Sequence, residues 1–160
     1  MIAGTQRAPE RSVPTSRSER WRHRYGRELV LEPGSRSVNA GRRVRILIVE
    51  DDYLLAEELR STIGEWGYEI VGVTGRGGDA LQLALEARPD VLISDIRLSD
   101  ALDGVTVAEE VNRRTGAKVI FITAFPAEAY ASGRDWGAKF LGKPYSDREL
   151  RAGIEETLGD

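Results

Sequence analysis

From Val44 to the end of the chain, short apolar runs rich in β-branched residues alternate with stretches whose apolar residues recur at helical spacing. That alternation restricts the fold more than any other feature. Strand–helix–strand repeats call for a parallel sheet with helices packed on its faces. Val44-Arg45-Ile46-Leu47-Ile48-Val49 is nearly continuous in apolar character, as expected of a strand buried on both faces. Leu55, Leu59, Ile63 and Trp66 then share one helical face, and Gly67 closes that helix. Glu69 to Thr74 reads as a second strand, and Asp79 to Ala87 as a second helix with Ala80, Leu81, Ala84 and Ala87 on one face. After Pro89-Asp90 comes a third strand, Val91 to Ser94. A helix from about Val105 to Arg114, a strand over Lys118 to Ile122, a shorter helix over about Pro126 to Trp136 and a strand over Lys139 to Leu141 follow. The last helix is capped by Ser146 or Asp147 with support from Glu149, and Leu150, Ile154 and Leu158 line its inner face. Five such units predict an α/β fold, a doubly wound five-stranded parallel (βα)5 sheet.

Charge divides the chain in two. Residues 1–43 carry ten Arg against four Glu, a formal net of +6, whereas residues 44–160 carry a net of −9. Residues 1–42 are rich in Arg, Ser, Pro and Gly without an apolar period, and read as a basic, disordered tail ahead of a globular part at 43–160. One Trp and one Tyr among scattered Arg make a weak nucleic-acid signature, so an inert tail, or leader upstream of the true start, is the plainer reading and no nucleic-acid partner is expected. The chain has no cysteine, which removes disulfide and thiolate chemistry. No stretch approaches the roughly 20 apolar residues that span a bilayer, and no secretory signal opens the chain. A cytoplasmic protein without a membrane partner is expected.

The chemistry gathers at the strand ends. Glu50-Asp51-Asp52 follows the first strand, Asp95 the third, Thr123 the fourth and Lys143-Pro144 the fifth. In an open parallel sheet, residues just past the carboxyl ends of the strands converge on one crevice. Carboxylates crowded there repel one another unless a cation intervenes, and hard oxygen ligands select Mg²⁺ or Mn²⁺. Asp52 doubles as a helix N-cap candidate. A carboxylate such as Asp95 can act as nucleophile toward a phosphoryl group, with Lys143 supplying a point charge and Thr123 a hydroxyl donor.

These residues carry a resemblance. Ile46-Leu47-Ile48-Val49-Glu50-Asp51-Asp52, Leu92-Ile93-Ser94-Asp95-Ile96-Arg97-Leu98, Asp103-Gly104, Phe121-Ile122-Thr123-Ala124 and Gly142-Lys143-Pro144 are similar to the motifs of receiver domains of bacterial two-component response regulators. The resemblance covers the whole globular part. It implies a flavodoxin-like strand order 2-1-3-4-5, with Asp95 as phosphoacceptor and Mg²⁺ (alternatively Mn²⁺) on Glu50, Asp51, Asp95 and the main-chain carbonyl of Arg97. It also implies Thr123 and Lys143 as phosphate-binding groups, and Thr123 with Phe140 as the switch pair. The implied partners are a histidine kinase or histidine phosphotransfer protein, a downstream protein target and, as an open alternative, a second copy of the chain. His23 is the only histidine and lies in the tail, so the donor is another protein.

Several features set this chain apart. The loop Leu98 to Gly104 looks lengthened. Phe121-Ile122-Thr123-Ala124-Phe125 resembles a receiver subgroup marked by Phe-x-Thr-Gly/Ala-aromatic, in which the following helix and the usual signalling surface are altered. Phe140 has no hydroxyl, so a tyrosine-type switch bond is unavailable and aromatic burial is left. No output domain follows Asp160, so a stand-alone phospho-accepting switch, rather than an enzyme, is expected. Two rival readings fit less well. Gly75-Arg76-Gly77-Gly78-Asp79-Ala80 fits a loose dinucleotide fingerprint, but outside the first βα unit a loop that needs glycine for its backbone explains it better. A metal-dependent phosphohydrolase with an aspartyl-phosphate intermediate suits the same groups, yet Arg97 fills the natural place for its general acid.

Overall fold

The computed structural model describes residues 42–98, 103–124 and 137–159. Five strands, β1 (Arg45–Val49), β2 (Glu69–Thr74), β3 (Val91–Ser94), β4 (Lys118–Thr123) and β5 (Lys139–Gly142), form one parallel sheet in the order 2-1-3-4-5. Four helices among the described residues, α1 (Tyr53–Glu65), α2 (Gly77–Ala87), α3 (Gly104–Thr115) and α4 (Asp147–Gly159), cover it. The expected α/β architecture and flavodoxin-like order are both present. The tail and the helix expected over 126–136 lie outside the described residues, as do residues 99–102 of the loop thought to be lengthened.

Period-two alternation sends the strands' side chains to two separate cores. On one face Leu47, Val49, Leu92, Val119 and Phe121 pack against Ala80 and Ala84 of α2 and Val107, Ala108 and Val111 of α3. On the other, Ile46, Ile48, Val91, Ile93, Ile120 and Ile122 pack against Leu59 and Ile63 of α1 and Leu150 and Ile154 of α4. Branched residues buried on both sides make β1, β3 and β4 the sheet's centre.

Helix boundaries refine the expectations. Asp52 caps α1, accepting from the backbone N–H groups of Leu54 at 2.9 Å and Leu55 at 3.1 Å. Ser146, and not Asp147, caps α4 in a reciprocal box: Glu149 N–H donates to Ser146 Oγ at 3.3 Å while the Glu149 carboxylate accepts from Ser146 N–H at 2.8 Å. The glycine segment departs further. Gly77 and Gly78 form the first turn of α2 rather than a loop, and Gly75 carries no positive φ. What Gly75 supplies is room, because a Cβ there would lie 3.1 Å from Asp51 Cα.

Register then sets the site. Val49 pairs with Ser94 and Thr123 with Gly142, so Glu50 and Asp95 leave neighbouring strands together and Lys143 leaves beside Thr123. The Asp95 N–H donates to Val49 O at 2.9 Å, and the Lys143 N–H donates to Thr123 O at 2.8 Å.

Candidate functional site

Glu50, Asp95 and Lys143, separated by up to 93 residues of chain, meet at the carboxyl edge of the sheet. Lys143 Nζ lies 2.7 Å from Asp95 Oδ2 and 3.0 Å from Glu50 Oε2, bridging the two carboxylates. The peptide bond from Lys143 to Pro144 is cis. The other oxygens are also held. Glu50 Oε1 accepts from Asp52 N–H at 3.1 Å, and Asp95 Oδ1 from Arg97 N–H at 3.0 Å. Each carboxylate therefore has one oxygen fixed by backbone and one shared with the ammonium.

Burial gives these contacts their weight. The Glu50 side chain is 3% exposed, Asp95 14% and Lys143 23%. Desolvation pushes the Glu50 carboxyl above its ordinary range, opposed by the Asp52 N–H and by Lys143. Burial alone would lower the Lys143 ammonium, but its hydrogen bonds to Asp95 and Glu50 outweigh that and raise it. The lysine thus stays charged and screens two carboxylates from each other.

The remaining expected residues divide. Thr123 is buried at the end of β4, and Phe140 stacks on Phe121 with ring centroids 5.3 Å apart. Asp51 is exposed beside this group and has no part in the Lys143 bridge, while Arg97 meets Asp95 through its main chain. Among the described residues, no three His, Cys, Asp or Glu side chains are drawn together as a ready-made cation cage. The donors on hand are nevertheless the hard oxygens that Mg²⁺ prefers, and Mg²⁺ takes only one or two carboxylates with water and phosphate oxygens filling the rest. By donor chemistry the residues fit that ion.

Some supports were not anticipated. Ser94, buried just before Asp95, donates its hydroxyl to Asp95 O at 2.8 Å. The Glu50 N–H donates to Thr74 O at 2.9 Å, while the Thr74 hydroxyl accepts from Arg76 N–H at 3.1 Å. A Cβ on Gly104 would fall 2.2 Å from Asp95 O, so only glycine lets α3 start directly against the Asp95 peptide. The Asp103-Gly104 pair is visible in the sequence as a cap followed by a small residue, although its contact with Asp95 is not.

The comparisons with known proteins agree with this geometry. The family model for the response regulator receiver domain matches residues 46–155, and the chain belongs to that family. It is 32% identical over 133 residues to the phyllosphere-induced regulator PhyR of Methylorubrum extorquens, covering 82% of this chain and 49% of that protein. It is 37% identical over 113 residues to the transcriptional regulatory protein PdtaR of Mycobacterium tuberculosis, covering 69% of this chain and 55% of that one. The chain thus spans about half the length of these relatives. Among solved structures, the signal receiver domain of a modulated diguanylate cyclase from Desulfovibrio desulfuricans superposes with a TM-score of 0.68 at 32% identity, covering 74% of this chain and 95% of that one. Residues 46–155 are thus a response regulator receiver domain, the domain type of two-component signalling. No described helix is long and apolar enough to cross a membrane.

Proposed function

We propose that Asp95 accepts a phosphoryl group from a phosphohistidine on a histidine kinase or histidine phosphotransfer protein. The observation that carries this reading is the Lys143 bridge, with its ammonium 2.7 Å from Asp95 Oδ2 at the common end of β1, β3 and β5. An Asp95 oxygen attacks phosphorus and forms the new oxygen–phosphorus bond. The nitrogen–phosphorus bond of the donor breaks, and its electron pair stays on the imidazole. Such transfers depend on position and charge more than on covalent help from the protein. The Arg97 N–H orients the acceptor carboxylate, Lys143 pairs with the phosphoryl oxygens, and Thr123 donates its hydroxyl to them.

Glu50, Asp51, Asp95 and the Arg97 carbonyl are the proposed ligands of Mg²⁺, with Mn²⁺ as the alternative ion. The bound ion supplies charge neutralisation on the phosphoryl oxygens. Glu50 and Asp95 share the single ammonium of Lys143, with Asp51 exposed next along the chain, and this leaves negative charge for such a cation to offset. Phosphorylation would add a dianion that recruits Lys143 away from Glu50. With Thr123 and Phe140 as the moving pair, it would bias an equilibrium between two states. Moving that equilibrium from 1:99 to 99:1 needs about 5.5 kcal/mol of differential stabilisation, within reach of a few charge-assisted bonds.

The output is a protein target, the setting is the cytoplasm, the switch domain is 43–160 after a basic tail at 1–42, and a homodimer is compatible with this role. The chain acts as a switch that takes one equivalent of phosphate. A phosphohydrolase would instead turn over external substrate, and Asp95 has a main-chain N–H of Arg97, not a carboxylic acid, at the place of its general acid.

Incubation with Mg²⁺ and acetyl phosphate, followed by intact mass, tests this reading. One added phosphoryl group is expected, lost without Mg²⁺ and absent from Asp95→Asn. No adduct on a folded protein would overturn it, and continuous phosphate release without an adduct would favour the hydrolase.

A further inference from the structure

The opposite edge of the sheet carries a second set of charges that the phosphoryl chemistry does not use. A cleft of about 480 Å³ opens at the amino ends of β1, β3 and β4, between the turns that close α2 and α3. Arg42, Arg88 and Lys118 stand around it, and Asp90 is the sole carboxylate among the described residues that line it. Asp90 is already engaged, one oxygen on the Arg42 guanidinium and the other on Arg45 N–H at 2.8 Å. Arg88 and Lys118 have no ion-pair partner among the described residues, although residues 44–160 carry a net of −9. An acidic domain that leaves two cations uncompensated at one cleft attracts anions there.

Two further observations narrow the ligand. Arg88 closes α2 in the left-handed conformation, with φ 50°, a position that glycine or asparagine ordinarily fills. A long cation held in such a conformation points to use of its side chain. The rest of the wall includes Val44, Pro89 and Leu158, so apolar surface lies beside the charges. The volume falls in the range of small-molecule sites and far exceeds the needs of one inorganic phosphate.

We propose that this cleft binds a small organic phosphate bearing two or more negative charges. Arg88 and Lys118 would hold the phosphates, and the apolar wall would take the organic part. The site is distinct from the glycine segment at 75–80, which leads from the carboxyl end of β2.

Isothermal titration of the full chain with ADP in metal-free buffer tests the assignment, with pyrophosphate as the purely inorganic comparison. Saturable binding at one site is expected, about tenfold weaker or more in Arg88→Gly/Lys118→Gln once two charge-assisted contacts are gone. Pyrophosphate should bind more weakly than ADP. Phosphorylation of the double variant by acetyl phosphate should match the parent, which shows that it folds. Absence of saturable ADP binding, equal affinity in the double variant, or pyrophosphate binding as tightly as ADP would each overturn the proposal.

Discussion

At the carboxyl ends of the strands, Glu50, Asp95 and Lys143 are drawn under cover and bonded to one another. At the amino ends, Arg42, Arg88 and Lys118 surround an open cleft where Asp90 is the sole carboxylate among the described lining residues. One sheet thus handles charge in two ways. The first edge buries opposite charges and relies on geometry to offset their desolvation. The second leaves its cations near water, where pairing would gain little. Burial makes the first edge sensitive to small steric or electrostatic changes, and exposure makes the second tolerant.

The sharpest way to break this contrast is with its glycines. Gly104→Ala places a Cβ 2.2 Å from Asp95 O and is expected to cost about 3 kcal/mol in urea unfolding. Gly116→Ala, at the other edge, meets nothing within 4 Å and adds only strain at φ 75°, about 1 kcal/mol. Equal costs would show that the two edges are equally tolerant.

Lys143→Met comes next. It strands two carboxylates against each other and should cost about 2 kcal/mol, part of which Asp95→Asn restores in the double variant. Simple additivity of the two changes would dissolve the proposed bridge. At the cleft, Arg88→Gly relieves the left-handed backbone and should raise stability by about 0.5 kcal/mol, even as it weakens anion binding. A loss of stability would mean that the arginine packs more tightly than its conformation suggests.

The smallest effect concerns Glu149. Bonds from the Ser146 N–H and hydroxyl hold its carboxyl below the ordinary value of 4.5. A depressed folded-state value adds stability above the unfolded value and loses it as pH falls through the folded one. Glu149→Gln should therefore melt lower than the parent at pH 7, and the gap should close as pH falls below 4.5. A gap that stayed constant with pH would assign the effect to shape alone.

Much of this architecture was legible because buried parallel strands and amphipathic helices write distinct periods into the chain. Ile46 to Val49 and Leu150, Ile154 and Leu158 are clear cases. The site residues were legible as a set for a related reason, since strand ends in a parallel sheet converge whatever lies between them. The supports were harder to see. The hydroxyls of Ser94 and Thr74 look like ordinary strand termini until their neighbours across the sheet are known. Gly75 and Gly77 are chemically identical, yet one makes room for Asp51 and the other opens α2. Sequence marks a glycine without saying whether it serves backbone angle or space.

The Lys143 bridge reaches across 93 residues to Glu50 and 48 to Asp95. Contacts of such separation carry a larger loop-closure cost than those within one strand–helix unit. A chain without β5 in place would keep β1 and its acidic turn but lack the ammonium that bridges them to Asp95. If Asp95 takes a phosphoryl group as proposed, that competence is in this sense a certificate of completion, for only a molecule with its last strand in place has Lys143 beside Asp95.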